Sequence, residues 1–384
     1  MTSLAAFIRR IVASNNPPTT EKAPDALRFG ILGAARIAPD AIVKPARSHD
    51  GAVIKAVAAR SQARADAFAK QWGIPRAYGG ETAYQDLVDD PEIDAVYIGL
   101  PNSLHYEWTM KAFAAGKHVL CEKPIADNAA EASEMFAYSA ERDLVLLEAW
   151  QVRFHPSLQR VKEIVDDLGP ITSMSTYLGV WNSVFFLKDD IRFDYELGGG
   201  ALMDMGPYPI NCMRFLTSRE PSIQWASATC RPGLDKIDKK VEACLSFGDI
   251  PARTTTDSCM DGWGPFQLLP QWIKMVLRVE CDQGVVEFSN YVLPHLYHSI
   301  TVSAKEGESW SEAAYKPNEG KGEEWWSAYR YQLEAFVDKV RGRQPSAWRS
   351  AEDSIESMKA IDGIYTEVRV CTVDVSSLPT RSPG

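Results

Sequence analysis

Two short segments of this sequence put ionisable side chains where acid–base chemistry could use them. In Cys121-Glu122-Lys123-Pro124 the proline removes a backbone donor and restricts Lys123 to an extended conformation. Asp204 and Tyr208 lie four residues apart, just after Gly198-Gly199-Gly200, so on one helix they share a face. A lysine, a phenol and a carboxylate can together bind a hydroxyl and carry its proton. Each also has an ordinary reading. Lys123 can be a surface charge, Asp204 can satisfy local backbone donors, and Tyr208 can be a half-buried core aromatic. On spacing alone the ordinary reading is favoured for the Asp204–Tyr208 pair.

A third segment changes that weighing. An apolar run ends in Gly30-Ile31-Leu32-Gly33-Ala34-Ala35-Arg36-Ile37-Ala38. A dinucleotide fold needs a strand, a tight glycine turn and a helix whose first N–H groups face a pyrophosphate. Gly33 stands at the turn and Ala38 suits close helix–strand packing. Ala35 occupies the place of the usual second glycine, which degrades the motif. The next apolar run ends Ala59-Arg60-Ser61, with Arg64 one turn on. An acidic residue there would take the adenosine ribose of NAD. Arg60 and Ser61 instead suit a 2′-phosphate. Two arginines at a helix start are disfavoured by the helix dipole, so the sequence points to NADP in preference to NAD. Leu100-Pro101-Asn102-Ser103-Leu104-His105 and the Lys123 segment both follow buried runs, at strand ends where open α/β sheets bind ligands.

Positioning these groups takes two kinds of architecture. Apolar runs at 27–33, 53–59, 93–100, 118–121 and 144–149 alternate with helical stretches at 37–48, 62–72, 104–115 and 129–140. That rhythm predicts a Rossmann-type α/β domain, a doubly wound parallel sheet over residues 26–150. From 151 to 384 a helix at 158–167 precedes extended stretches at 171–181, 223–230, 241–247, 252–260, 275–281 and 285–288. Helices at 323–341 and 351–368 close the chain. This second domain reads as α+β, with a large, mostly antiparallel open sheet for substrate and self-association. Residues 1–25 form an N-terminal arm and linker.

Composition sets the outer bounds. With 45% hydrophobic and 24% charged residues the chain is globular, and a net charge of −10 without a basic run argues against nucleic acid or an anionic membrane. No apolar stretch is long enough to span a bilayer. Seven cysteines without a CxxC pair predict reduced thiols in a cytoplasmic protein and no metal site. The opening MTSLAAFIRRIV carries two arginines and no acid, so a mitochondrial presequence is the weaker alternative.

Taken together, GILGAARIA, PNSLH, CEKPIA, EAWQVRFHP and GGGALMDMGPYPI resemble the Gfo/Idh/MocA oxidoreductases, in that family's order and over nearly the whole chain from residue 26. Tyr208 in place of the commoner histidine resembles the branch of dihydrodiol and NADP-dependent D-xylose dehydrogenases. The resemblance implies Lys123 and Tyr208 as the catalytic pair, with Asp204 positioning substrate. It places His105 and Glu122 along the nicotinamide ribose, and Trp150, Arg153 and Phe154 near the cofactor. Asn211 departs from the family's usual last acidic position, which weakens transfer of the polyol-dehydrogenase mechanism. The expected partners are a small sugar or diol and a second copy of the chain, as a homodimer through the open sheet. The competing readings are a redox-neutral lyase or isomerase using tightly bound NAD, and a non-catalytic NADPH sensor. Residues 182–195, aromatic-rich and just before the glycine turn, are expected to contribute to substrate recognition.

Overall fold

The structure is a computed structural model that describes residues 4–181, 190–231, 233–264, 271, 273–368 and 371–373. The chain divides into two compact units. The first comprises the chain through Arg160, Leu293–His298 and Glu312–Ile355.

Its sheet has six parallel strands: β1 (Leu27–Leu32), β2 (Ala52–Ala59), β3 (Arg76–Gly79), β4 (Ala95–Ile98), β5 (His118–Glu122) and β6 (Leu146–Ala149), in the order β3-β2-β1-β4-β5-β6. This is the doubly wound arrangement that binds dinucleotides where the strand order reverses, between β1 and β4. All of β4 and the last four residues of β1 are buried, as strands covered on both faces must be. Gly30 serves that covering: a Cβ there would fall 2.4 Å from Leu87 Cδ2, on the helix Ala83–Val88.

Two differences from the sequence reading have local causes. β3 escapes notice because its four residues are all half-buried and form no apolar run. The helix expected over 37–48 is a π-helical turn, Pro39–Val43, followed by the short helix Lys44–Arg47. Lys44 N–H bonds Pro39 O, five residues back, and Pro45 has no N–H to continue a regular ladder.

The first unit also takes in a later stretch of the chain that chain order places in the second domain. The helix Ala328–Val340 belongs to the first unit. It buries Leu333, Phe336 and Val337 in the same core as Phe29, Ile31 and Leu120, with the Phe336 ring 5.7 Å from that of Phe29. Chain order carries no sign of such a return.

The second unit comprises Val161–Val292, Ser299–Ser311 and the chain from Glu356. Its strands are β7 (Ile171–Trp181), β8 (Ser222–Arg231), β9 (Leu234–Phe247), β10 (Ile250–Met260), β11 (Lys274–Cys281), β12 (Gly284–Ser289), β13 (Ser299–Ala304), β14 (Trp310–Glu312) and β15 (Cys371–Val373). They are ordered β14-β13-β12-β11-β7-β10-β9-β8-β15. β7 and β10 pair in parallel, as do β8 and β15; β8–β9, β9–β10, β7–β11, β11–β12 and β12–β13 are antiparallel.

Cys121, Cys212, Cys244, Cys259 and Cys281 are free thiols. Cys230 is disulfide-bonded, which corrects the expectation that every thiol is reduced. A link closed by the fold leaves no spacing signature in a sequence. Among the described residues no helix is long and apolar enough to cross a membrane, and no group of three His, Cys, Asp or Glu is placed to hold a metal.

Candidate functional site

In the first unit the candidate residues converge on the strand ends around β1, β2, β4 and β5. Gly33 leaves β1 with φ +95° and bonds Ala58 O through its N–H at 2.9 Å. A Cβ on it would fall 2.8 Å from Gly99 O, so this turn is closed to other residues. Ala34 and Ala35 are half-buried, while Arg36 and Ile37 are exposed on the turn beyond. Arg60, Ser61 and Arg64 are exposed at the end of β2. Ser61 is the N-cap of the helix Gln62–Trp72, yet its side chain makes no capping bond. Arg64 Nη2 reaches back to Ala34 O at 3.4 Å, joining this cluster to the glycine turn.

The loop after β4 is fixed from below. Leu100 is buried, Pro101 and Asn102 are half-buried, and the 3₁₀ turn Asn102–Leu104 leads into the helix His105–Ala114. His105 is fully buried. Its Nδ1 lies 2.8 Å from Pro124 O and its Nε2 3.0 Å from Leu100 O. Burial lowers its pKa to about 4 against the opposing pull of the two carbonyls, so the ring is neutral at pH 7 and donates to one of them at a time. His105 is therefore a tie between two loops at the strand ends.

Glu122 is also held from within the sheet. Tyr97 O–H donates to its Oε1 at 2.8 Å inside the sheet, and burial raises the carboxyl pKa, opposed by the charge of Lys123. Lys123 itself is half-buried, and its peptide bond to Pro124 is cis. Trp150 is only 1% exposed, with the Arg349 guanidinium 5.1 Å from its ring centre. Arg153 is half-buried, Nε donates to Trp348 O at 3.2 Å, and burial lowers its pKa; Phe154 is buried.

Beyond Lys123, Asp127 carries a further acid. Burial, then the charge of Glu131, raises its pKa to about 6, and its Oδ1 has no hydrogen-bond partner among the described residues. The native state thus keeps this proton to higher pH than the unfolded chain does, and stability is lost as pH rises from about 4 to about 6. Asp127→Asn should therefore be more stable than the parent at pH 7, with the gap closing below pH 4. Urea midpoints that ran parallel across that range would refute the assignment.

In the second unit the glycine run is explained residue by residue. Gly198 has φ +70° and Gly200 φ +133°. A Cβ on Gly199 would lie 2.6 Å from Arg192 O, and one on Gly200 2.4 Å from Asp238 Oδ1. Asp238, on β9, accepts from Leu202 N at 2.7 Å and from Tyr365 O–H at 3.0 Å, which caps the start of the helix Ala201–Met205. Its burial raises the carboxyl pKa, opposed by those donors.

Asp204 and Tyr208 are not on one unbroken helix: Ala201–Met205 ends at Gly206, and Pro207–Thr217 begins a second. Gly206 keeps helical angles (φ −57°, ψ −35°), so the four-residue spacing survives the break. Tyr208 is buried, in the first turn of the second helix. Arg192 Nε donates to Asp204 Oδ2 at 2.8 Å. Asn211 is buried and accepts from Arg214 Nη1 at 3.1 Å. Residues 182–189 of the expected substrate segment lie outside the described residues. Asp238 and Tyr365 went unrecognised in the sequence reading, and Arg192 was covered only by the expected substrate segment 182–195; for Asp238 and Tyr365 the signal was the run of glycines, since Gly200 lies against both.

The residues fit a bound dinucleotide on two observations of the first unit. The Gly33 turn, with φ +95° and no room for a Cβ beside Gly99 O, is the tight turn after the first strand that a dinucleotide fold requires. Trp150 Nε1 is buried without an acceptor among the described residues.

Residues 27–149 match the model of an oxidoreductase family with an NAD-binding Rossmann fold, and residues 158–287 match the Gfo/Idh/MocA C-terminal domain. The chain belongs to the Gfo/Idh/MocA oxidoreductase family. Within that family it is 34% identical over 348 residues to a D-xylose 1-dehydrogenase (NADP(+)) of Haloferax volcanii, covering 88% of this chain and 96% of the relative. It is 34% identical over 198 residues to a trans-1,2-dihydrobenzene-1,2-diol dehydrogenase of Xenopus tropicalis, covering 50% and 56%. An aldose–aldose oxidoreductase from Caulobacter crescentus superposes with a TM-score of 0.75 at 25% identity, over 90% of this chain and 98% of that one. The fold is shared as well with a 3-ketoreductase from Actinomadura kijaniata in complex with NADP and TDP-benzene, with a TM-score of 0.77 at 24% identity over 91% and 99%.

Proposed function

We propose that this oxidoreductase is NADP-dependent and transfers a hydride between the nicotinamide and the hydroxyl-bearing carbon of an aldose such as D-xylose, or of a trans-dihydrodiol. The observation that carries the reading is the likeness to the Haloferax enzyme across 96% of that protein's length. The exposed Arg60-Ser61 at the end of β2 gives it physical support. When bound, the cofactor supplies the hydride acceptor or donor. The turn at Gly33–Ile37 and the segment Leu100, Pro101 and Asn102 line its diphosphate and nicotinamide side, while Arg60, Ser61 and Arg64 take the 2′-phosphate. Trp150, Arg153 and Glu122 back the nicotinamide side from the protein.

In this reading Tyr208 receives the hydroxyl proton, Lys123 stabilises the phenolate and relays the proton, and Asp204 orients the hydroxyl. The oxidoreductase works in the cytoplasm as a homodimer, and the wide, mainly antiparallel sheet supports self-association. Mixing purified protein with NADP and a panel of aldoses and diols, while following absorbance of the reduced cofactor, tests the activity. Reduction with none of them would remove the reading.

Cofactor choice has its own test. Arg60→Asp replaces a cation facing the 2′-phosphate by an anion, and losing one charge-assisted contact costs roughly 1.5–3 kcal/mol, about ten- to a hundredfold in affinity. Calorimetry should show NADP binding weakened by that factor and NAD binding unchanged or improved. Equal affinity of the parent protein for NAD and NADP would count against the assignment.

A further inference from the structure

The segment leading into the glycine run is organised around one guanidinium. Asp190 accepts from Arg192 N at 3.1 Å and from Arg192 Nη1 at 3.0 Å. On its other edge the guanidinium gives Nε to Asp204 Oδ2 at 2.8 Å. The Arg192 carbonyl accepts from Gly200 N at 3.0 Å, and Gly200 O accepts from Asp204 N at 3.0 Å. Backbone and side chain therefore reach Asp204 along two routes that start at the same residue. The next residue is held too, with the Arg231 guanidinium 3.7 Å from the centre of the Phe193 ring.

A carboxylate beside a substrate hydroxyl can either take its proton or only accept its hydrogen bond. An adjacent guanidinium favours the ionised form, and arginine has no proton to give up in the working range. Asp204 is thereby kept as a fixed acceptor, aimed by a planar donor whose other edge is anchored on Asp190. Asp204 then does not compete with Tyr208, four residues on, for the proton.

We infer that Arg192 is a positioning residue for hydride transfer, fixing the charge and direction of the Asp204 carboxylate so that it aligns the substrate hydroxyl without competing as the base. The inference rests on the reading of Asp204 and Tyr208 given under the proposed function.

The test compares Arg192→Gln, Arg192→Lys, Asp204→Asn and the double variant Arg192→Gln/Asp204→Asn in NADP-dependent aldose oxidation. Affinity for NADP and the thermal midpoint are measured alongside. Arg192→Gln is expected to lower kcat/KM by about 10–100-fold, the range of one lost charge-assisted contact, with NADP affinity within about twofold of the parent. Arg192→Lys, which keeps the charge, should recover part of that loss. The double variant should be no worse than the poorer single one, because both remove the same interaction.

An Arg192→Gln variant within twofold of the parent, equal losses in the Gln and Lys variants, or strictly multiplicative losses in the double variant would each overturn the inference. Asp204→Asn and Tyr208→Phe both at parental rates would instead remove the underlying reading. If Arg192→Gln does not fold, the Arg192→Lys result decides: parental NADP affinity with a several-fold fall in kcat/KM upholds the inference, and an unchanged kcat/KM overturns it.

Discussion

Replacing Tyr208 by Phe should lower kcat for aldose oxidation by about 10²–10⁴-fold, the contribution of a positioned acid–base group, while the affinity for NADP stays within about twofold. Removing a hydride from a hydroxyl-bearing carbon requires the hydroxyl proton to leave as well. A phenol with an ordinary pKa near 10 is a weak base at neutrality, so its surroundings must favour the phenolate. In the proposed mechanism the charge of Lys123 does this. Lys123→Ala should therefore fall in the same range, and Lys123→Arg separates its two roles. Arginine keeps the charge but cannot relay a proton, so a partial recovery of kcat assigns the recovered part to electrostatics. The Phe substitution retains the ring that is buried in the second unit, so the fold is preserved and the loss reports chemistry. Parental turnover in either Tyr208→Phe or Lys123→Ala would end the assignment.

How much of this was legible follows from the range of each interaction. The strands at 27–32, 52–59 and 171–181 and the helix at 62–72 could be read almost to the residue, because apolar runs, β-branched residues and flanking glycines are local signals. Gly33 and the Arg60-Ser61 pair belong to one βαβ unit, and their place at the strand ends follows from the fold alone. His105 could be placed after a buried strand, at a strand end where ligands bind, but its burial and the two backbone carbonyls on its ring are tertiary facts. Asp238 lies 36 residues from the helix it caps, and Tyr365 reaches it across 127. No period or spacing links them. Gly200 shows how far the sequence could go: the glycine declares a close neighbour, and only the fold supplies its name.

The largest effect on stability should come from a pair that the candidate site residues conceal. Arg349 and Glu148 form an ion pair of 2.8 Å with side-chain exposures of 0% and 1%. Arg349 Nε also reaches Ser354 Oγ at 2.9 Å, and its guanidinium lies against the Trp150 ring. Glu148 sits on β6 opposite Cys121 of β5, one residue before Glu122, so this pair underlies the strand end that carries Lys123. Arg349→Leu leaves a buried carboxylate without its partner, which typically costs about 3–5 kcal/mol. At roughly 2–4 °C per kcal/mol for a unit of this size, the first thermal transition should fall by about 6–20 °C. Removing both charges is a different experiment. In Arg349→Leu/Glu148→Leu no charge is left stranded, the desolvation penalty of two ions disappears, and most of the lost stability should return. The comparison also separates stability from function. If the double variant regains the thermal midpoint yet binds NADP more weakly than the parent, the pair serves to hold Trp150 and the β5–β6 strand ends in place. A single variant as stable as the parent would show that water reaches Glu148 and that the pair is not the anchor its burial implies.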